Sequence, residues 1–242
     1  MLTAAAFVPG APLVVPALAG PGATDVADLR TAVLEVTRRL SDTAHRWVAI
    51  GVGDPGTADL TRGTFAGFGV DETVSLRPGG GDEPASAVMA TPMLVAGWLR
   101  GQIAPSVSVC PSLVDASTSP RDCARIGTEL GARIADTDEA VGLLVVADGS
   151  FGLSPTAPGG EIVGAGAVQD RLDAAVAAGD LDAIEAFGVT EAAEAGIVGR
   201  AAWQVAVAVW RAAAPGDFST ESPYCAAPFG VGYQVAWWGR RA

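Results

Sequence analysis

The sequence contains no lysine, so all 15 of its basic residues are arginines. Without lysine the chain cannot form a Schiff base with a carbonyl substrate or with pyridoxal phosphate. It also lacks the P-loop lysine that reaches nucleotide phosphates. Lysine-dependent chemistry is therefore excluded from the start.

Basic charge is scarce as well, because the formal net charge is -12 and no arginine-rich run occurs. Binding of nucleic acid needs a basic face that neutralises phosphates, so no nucleic-acid partner is expected. The longest strongly apolar run, residues 201–210, is too short to cross a bilayer. No Lys or Arg precedes Arg30, and early prolines interrupt a signal-peptide pattern. We expect a cytoplasmic protein that does not act at a membrane.

Cysteine is also sparse and unpatterned. Cys110, Cys123 and Cys225 are odd in number, widely spaced and form no CxxC. This arrangement indicates neither a disulfide framework nor a zinc ribbon. Ordinary buried thiols are expected.

The apolar residues predict the fold class. Half of the 242 residues are apolar, enough for one sizeable core and a single domain over residues 1–242. Buried strands at 2–8, 47–52 and 141–147 alternate with helical patterns, the last of these strands being central. We therefore expect an α/β fold whose mostly parallel central sheet is covered by helices on both faces.

The remaining elements follow from periodicity. Trp237 and Trp238 end the final strand, where one of the two should face outward and could mark a subunit interface of a homo-oligomer. The other predicted strand covers residues 107–110, and the final strand covers 232–238. Helices are predicted over residues 24–41, 85–99, 120–134, 166–178, 181–186 and 190–211.

Polar residues after the buried strands mark a candidate pocket. Asp54 and Asp148 each follow such a strand, and ligands of open α/β sheets bind at the carboxyl ends of the strands. Two carboxylates there would hold Mg²⁺ or recognise an amine or hydroxyls. The alternative, which we favour, is that each aspartate caps a turn, since Asp-Pro-Gly and Asp-Gly are strong turn signals. Ser150 and Ser154 are interpreted as loop hydrogen bonders, or as donors to a bound anion.

Three segments together resemble a known superfamily. They are AFVPGAPLVVP at 6–16, DGSFGLSP at 148–155 and APFGVGY at 227–233. In this order and across the whole chain, they are similar to the small, alanine-rich actinobacterial branch of the class III extradiol dioxygenase B-subunit superfamily, which includes the Memo proteins.

The resemblance implies an extradiol dioxygenase B-subunit-like α/β fold. Its ring-cleaving members hold ferrous iron with two histidines and one carboxylate. The first iron histidine of the family corresponds to a place near Gly10, and the second to residues 54–56. The acid/base histidine follows a Gly-Leu-Ser and is replaced here by Pro155. All three are absent, so no catalytic residue and no metal ligand is assigned.

His45 is the only histidine in the sequence. It follows the first long helix and precedes the second strand, which places it at the edge of the sheet opposite the expected pocket. We favour a role at the helix C-terminus, where a cation interacts well with the helix dipole. A two-histidine iron site within one chain is excluded.

Two functions remain open. The first is a non-catalytic binding or scaffold protein without a cofactor, whose pocket or surface takes an unknown small molecule or protein partner. The second is a dioxygenase or hydrolase that uses Fe(II) or Mg(II) bound by Asp54, Asp148 and either Glu161 or Glu221. The first is favoured because carboxylates alone bind ferrous iron weakly. The sequence also predicts no base near the pocket that titrates at neutral pH.

Overall fold

The structure is a computed structural model that describes residues 1–20, 24–80, 83–214 and 216–240. Within these residues the strands are β1 (Leu2–Val8), β2 (Arg46–Val52), β3 (Arg62–Thr64), β4 (Thr73–Ser75), β5 (Ser108–Val114), β6 (Val141–Val146), β7 (Phe218–Ala226) and β8 (Tyr233–Arg240). The helices are α1 (Pro16–Ala19), α2 (Ala27–Thr43), α3 (Thr91–Ile103), α4 (Pro120–Ala135), α5 (Ala165–Ala178), α6 (Leu181–Glu185), α7 (Val189–Glu194) and α8 (Arg200–Ala213).

Six of the described strands form one sheet in the order β5-β2-β6-β1-β8-β7. Strands β5, β2, β6 and β1 pair in parallel, whereas β8 and β7 add an antiparallel hairpin next to β1. Strand β6 has a parallel neighbour on each side, which confirms its central position. The mostly parallel α/β sheet predicted from the sequence is therefore present.

Alternate side chains of the central strands pack into two separate hydrophobic cores, one on each face of the sheet. Leu143 and Val145 of β6 pack on the face covered by α4, α5 and α8. Leu144 and Val146 pack on the opposite face under α2 and α3. Because both faces are covered, a central strand must be apolar at every position, as β6 is. This confirms the prediction of helices on both faces.

Two predicted helices are wrong in extent. The helix expected from residue 85 begins at Thr91, because the preceding segment pairs with β3 instead: the Ser86 amide donates to the Arg62 carbonyl oxygen at 3.0 Å. The helix expected over residues 190–211 is divided into α7 and α8. Gly196 between them has a φ of 68°, a left-handed conformation that ends a helix and that glycine adopts without steric cost.

The two C-terminal tryptophans are both buried, which corrects the expectation that one faces outward. Trp237 packs on the α2 face with the Arg39 guanidinium 4.6 Å from its ring centre. Trp238 lies on the other face, where its Nε1 donates to the Val176 carbonyl oxygen at 2.9 Å. Strand β8 is internal, lying between β1 and β7, so neither tryptophan is free to mark a subunit interface.

Strand β7 was not predicted, and its position explains why. It is an edge strand, and all nine of its residues are exposed or half-buried, so it lacks an apolar run. The same edge effect exposes Cys225 on β7 and Cys110 on β5, the strand at the other edge. Of the three thiols expected to be buried, only Cys123 is buried.

A bilayer-spanning helix would need about 20 mostly apolar residues. None of the helices in the described part of the chain reaches the length and apolar character required.

Candidate functional site at the carboxyl ends of the strands

A cavity of about 550 Å³ opens where the parallel strands β1, β2 and β6 end. Its lining contains three residues that the sequence marked as pocket candidates, one from the loop after each strand: Gly10, Asp54 and Asp148. The starts of α3 and α8 complete it, through Pro92 and Gly199. We call it the carboxyl-edge cavity.

Asp148 is a half-buried acidic residue of this cavity. One carboxylate oxygen, Oδ1, accepts a hydrogen bond from the Gly10 amide at 3.0 Å. Among the described residues, no hydrogen bond reaches the other oxygen, Oδ2. Asp148 thus bridges the loops after β6 and β1, and does not cap the turn that follows it. The capping interpretation is wrong for this residue.

Burial raises the pKa of Asp148 from its ordinary 3.8 to about 7, although the Gly10 amide opposes the shift. The cause is desolvation, which disfavours the charged carboxylate. Burial also raises the pKa of the neighbouring Tyr233, and the charge of Asp148 adds to that effect. A group that titrates near neutral pH therefore does lie at the pocket, which corrects the expectation that there is none.

Gly10 and Asp148 approach each other closely. A Cβ atom at position 10 would lie 3.3 Å from Asp148 Oδ2, closer than most side-chain contacts. The Gly10 amide is available to Asp148 because the loop after β1 passes beside the end of β6, its parallel neighbour.

Asp54 behaves as the turn signal predicts. Its Oδ1 accepts from the Gly56 amide at 2.9 Å and begins the short 3₁₀ turn Pro55–Thr57. The side chain is exposed, and its capping role is confirmed. Because Asp54 also lines the cavity, it contributes a second carboxylate near the mouth.

The walls of the cavity are largely apolar. Pro12, Val52 and Val146 contribute to the lining. Three further apolar side chains of the lining are exposed to solvent, and we call them the rim. The rim residues are Phe68, Val88 and Val198, which are 47%, 71% and 45% exposed. Large apolar side chains exposed together around a concavity are typical of binding surfaces.

Ser150 lies outside the lining of the cavity. It is fully buried, its hydroxyl donates to the Ala195 carbonyl oxygen at 2.5 Å, and its amide donates to Gln169 Oε1 at 2.7 Å. The Gly152 amide donates to the same hydroxyl at 3.1 Å, and the Gly149 amide donates to the Gly232 carbonyl oxygen at 2.8 Å. With its amides engaged internally, this loop does not present the anion-binding donors considered from the sequence.

Ser154 is also absent from the lining, because its loop turns toward β8. Its hydroxyl is 3.2 Å from Thr156 Oγ1, and it lies against Gly230. Ser154, although part of the Gly-Leu-Ser motif, therefore does not lie in the cavity with Asp148.

The carboxylates considered as alternative metal ligands are not gathered at one point. Glu221 lies on β7 and pairs with Arg39 at 2.8 Å, an interaction that lowers the pKa of the glutamate. Glu161 is exposed and does not line the cavity. Within the described ranges, no group of three His, Cys, Asp or Glu side chains is arranged to hold a metal ion.

His45 lies at the opposite edge of the sheet, as predicted. It lines a separate, open cavity of about 970 Å³ at the amino ends of β2 and β5. Arg46 and Glu139 in that cavity pair with each other at 3.0 Å and are both exposed. Although this cavity is larger, ligands of open α/β sheets bind at the carboxyl ends of the strands. The carboxyl-edge cavity is therefore the better candidate site.

Gln169 is a supporting residue that the sequence did not reveal. It is buried on α5, accepts the Ser150 amide, and donates through Nε2 to Asp173 Oδ1 at 2.8 Å. A Cβ atom at Gly149 would lie 2.3 Å from the Gln169 side-chain amide, so a larger residue there would displace that amide. The sole sequence signal was a polar residue on the apolar face of a helix, which by itself indicates no site.

Comparisons with known proteins address the fold only. The sequence matches no protein-family model and no curated protein. It is similar in structure to uncharacterized protein JW3007 from Escherichia coli K12, with 12% sequence identity and a TM-score of 0.50. That likeness covers 98% of this chain and 100% of the other. It supports the α/β arrangement and carries no information on function.

Proposed function

We propose that this protein is a non-catalytic relative of the class III extradiol dioxygenases that binds a small molecule in the carboxyl-edge cavity. One observation carries the proposal: the cavity lies at the carboxyl ends of three parallel strands and is lined by Gly10 and Asp54. These residues stand where the resemblance places the iron histidines of that superfamily. The pocket position is kept while the metal ligands are absent.

The size and lining of the cavity support binding. Small-molecule sites typically occupy about 300–1,000 Å³ and combine apolar walls with a few polar groups. The carboxyl-edge cavity has about 550 Å³, apolar walls and two carboxylates. A scaffold that bound partners through its outer surface alone would not need such a cavity.

The test is a screen of small aromatic and aliphatic fragments by ligand-observed NMR. We expect binding to the wild type and its loss in Val88→Trp, because an indole at the rim would block the mouth. Val88 is 71% exposed, so the fold should tolerate the change. Val163→Trp is the matched control, since Val163 is 98% exposed and does not line the cavity.

Unchanged fragment binding in Val88→Trp, or no binding to the wild type, would contradict a site in this cavity. Metal content separately tests the non-catalytic part of the proposal. We expect anaerobically purified, untagged protein to lack stoichiometric iron. We also expect no oxygen uptake with catechol or protocatechuate after ferrous iron is added. Iron at one equivalent with substrate-dependent uptake would instead support the metal-dependent alternative.

A further inference from the structure

We propose that the ligand of the carboxyl-edge cavity is an organic amine that places its positive charge against Asp148 and its apolar body at the rim. The inference rests on the proposed function of this cavity and names the chemical class of its ligand. It follows from the charges, the open acceptor and the distribution of apolar side chains around the site.

The charges of the lining are all of one sign. Asp54 and Asp148 contribute carboxylates, and no arginine or histidine lines the cavity among the described residues. A carboxylate or phosphate ligand would therefore meet like charge without a basic partner. A cation would meet opposite charge in a partly desolvated cavity, where electrostatic attraction is stronger than in water.

Asp148 can also accept a hydrogen bond from a ligand. Its Oδ1 is engaged by the Gly10 amide at 3.0 Å, whereas its Oδ2 has no hydrogen-bond partner among the described residues. A protonated primary amine provides up to three N–H donors, and its hydrogen bond to a carboxylate is charge-assisted. The half-buried carboxylate is thereby compensated by the ligand.

The two helices that begin at the cavity do little to favour an anion. Helix N-termini generally attract negative charge through their free amides. Here the Gly199 amide, before α8, already donates to the Asp148 carbonyl oxygen at 3.1 Å. Pro92, in the first turn of α3, has no amide hydrogen to offer. Few backbone donors therefore remain to hold an anionic group.

The exposed apolar side chains of the cavity indicate that the rest of the ligand is apolar. Phe68, Val88 and Val198 line the cavity and are all at least 45% exposed. An apolar group that extends from an amine at Asp148 toward these side chains would remove them from water, which is favourable in proportion to the area covered. The ligand is thus an amphiphilic cation rather than a metal ion or a small polyol.

The test compares three near-isosteric probes by isothermal titration calorimetry at pH 8: 2-phenylethylamine, 2-phenylethanol and 3-phenylpropionate. We expect the amine to bind about tenfold or more tightly than the alcohol, because a hydrogen bond to a charged group exceeds a neutral one. The carboxylate should bind most weakly. In Asp148→Asn, the preference for the amine over the alcohol should fall to near parity.

Glu161→Gln is the matched control, because it removes one negative charge outside the cavity and should keep the preference. Asparagine still accepts the Gly10 amide, so Asp148→Asn should stay folded, as checked by circular dichroism. Equal affinity for amine and alcohol, or a preference that persists in Asp148→Asn, would overturn the inference while leaving the cavity a binding site. Failure of all three probes, together with failure of the fragment screen, would refute the proposed function itself.

Discussion

The loops after β2 and β6 each have an aspartate as their second residue, and the two aspartates have different environments. Asp54 and Asp148 both follow a buried parallel strand, and both precede a turn-forming glycine or proline. Asp54 is exposed and bonds two residues along its own turn, whereas Asp148 is half-buried and bonds Gly10 in another loop. Both β2 and β6 lie between two parallel strands, so position in the sheet does not explain the difference. It lies in the partner of each carboxylate: the loop after β1 brings the Gly10 amide to Asp148, whereas Asp54 accepts an amide of its own turn.

The largest expected effect tests the support of the β6 loop. Gln169→Leu removes the acceptor of the buried Ser150 amide, and an unsatisfied buried group costs about 1 to 3 kcal/mol. We expect urea unfolding to show a loss of that size. Gln102→Leu, an exposed glutamine of α3, should change stability by less than about 0.5 kcal/mol. Equal effects of the two would show that the loop does not depend on Gln169.

A second prediction concerns the raised pKa of Asp148. Because the folded state holds this proton up to about pH 7 and the unfolded state only to about 3.8, the folded chain binds more protons between these values. Stability from this group is therefore present at low pH and is lost as pH rises toward 7. Asp148→Asn should be more stable than the wild type at pH 8 by about 2 kcal/mol, a figure reduced for partial exposure.

The advantage of Asp148→Asn should shrink toward zero as pH falls to 4. Urea unfolding of both proteins at pH 4.5, 6 and 8 measures it. The charged or titratable groups near Asp148 are Asp54, in the same cavity, and Tyr233, whose pKa is raised above its ordinary range and which stays neutral throughout. A difference that does not vary with pH would show that Asp148 is ionised in the folded protein at all three values.

The smallest effect is expected in the loop after β2. Asp54→Ala removes a cap from an exposed turn, which should cost about 1 kcal/mol or less. Thermal unfolding of the variant and the wild type checks this. A loss well above about 1 kcal/mol would show that Asp54 does more than cap this exposed turn.

The parts of the fold that the sequence predicts correctly are those where local pattern and burial agree. Strand β6 is apolar throughout because both faces of its sheet are covered. Helix α4 has its apolar residues at helical spacing and is capped by Ser119, whose hydroxyl accepts the Asp122 amide. Strand β7 escapes prediction because an edge strand does not need an apolar run.

The site was predictable only in part, for a similar reason. Asp54 and Asp148 follow from the rule that ligands bind at the carboxyl ends of parallel strands. Phe68 and Val88 reach the same cavity from the long connection between β2 and α3. No periodicity relates them to Asp148, because a connection of that kind is positioned by tertiary contacts.

By itself, the sequence determined the α/β class, the order of the main strands and helices, and the absence of a histidine pair. The histidine content is a matter of composition, and the strands and helices follow from the spacing of apolar residues within short segments. Only the tertiary structure decided that Asp148 is half-buried beside Gly10, that its pKa is raised to about 7, and that exposed apolar side chains surround it. Burial and long-range hydrogen bonds arise from segments far apart in the chain, so they exist only once those segments are packed together.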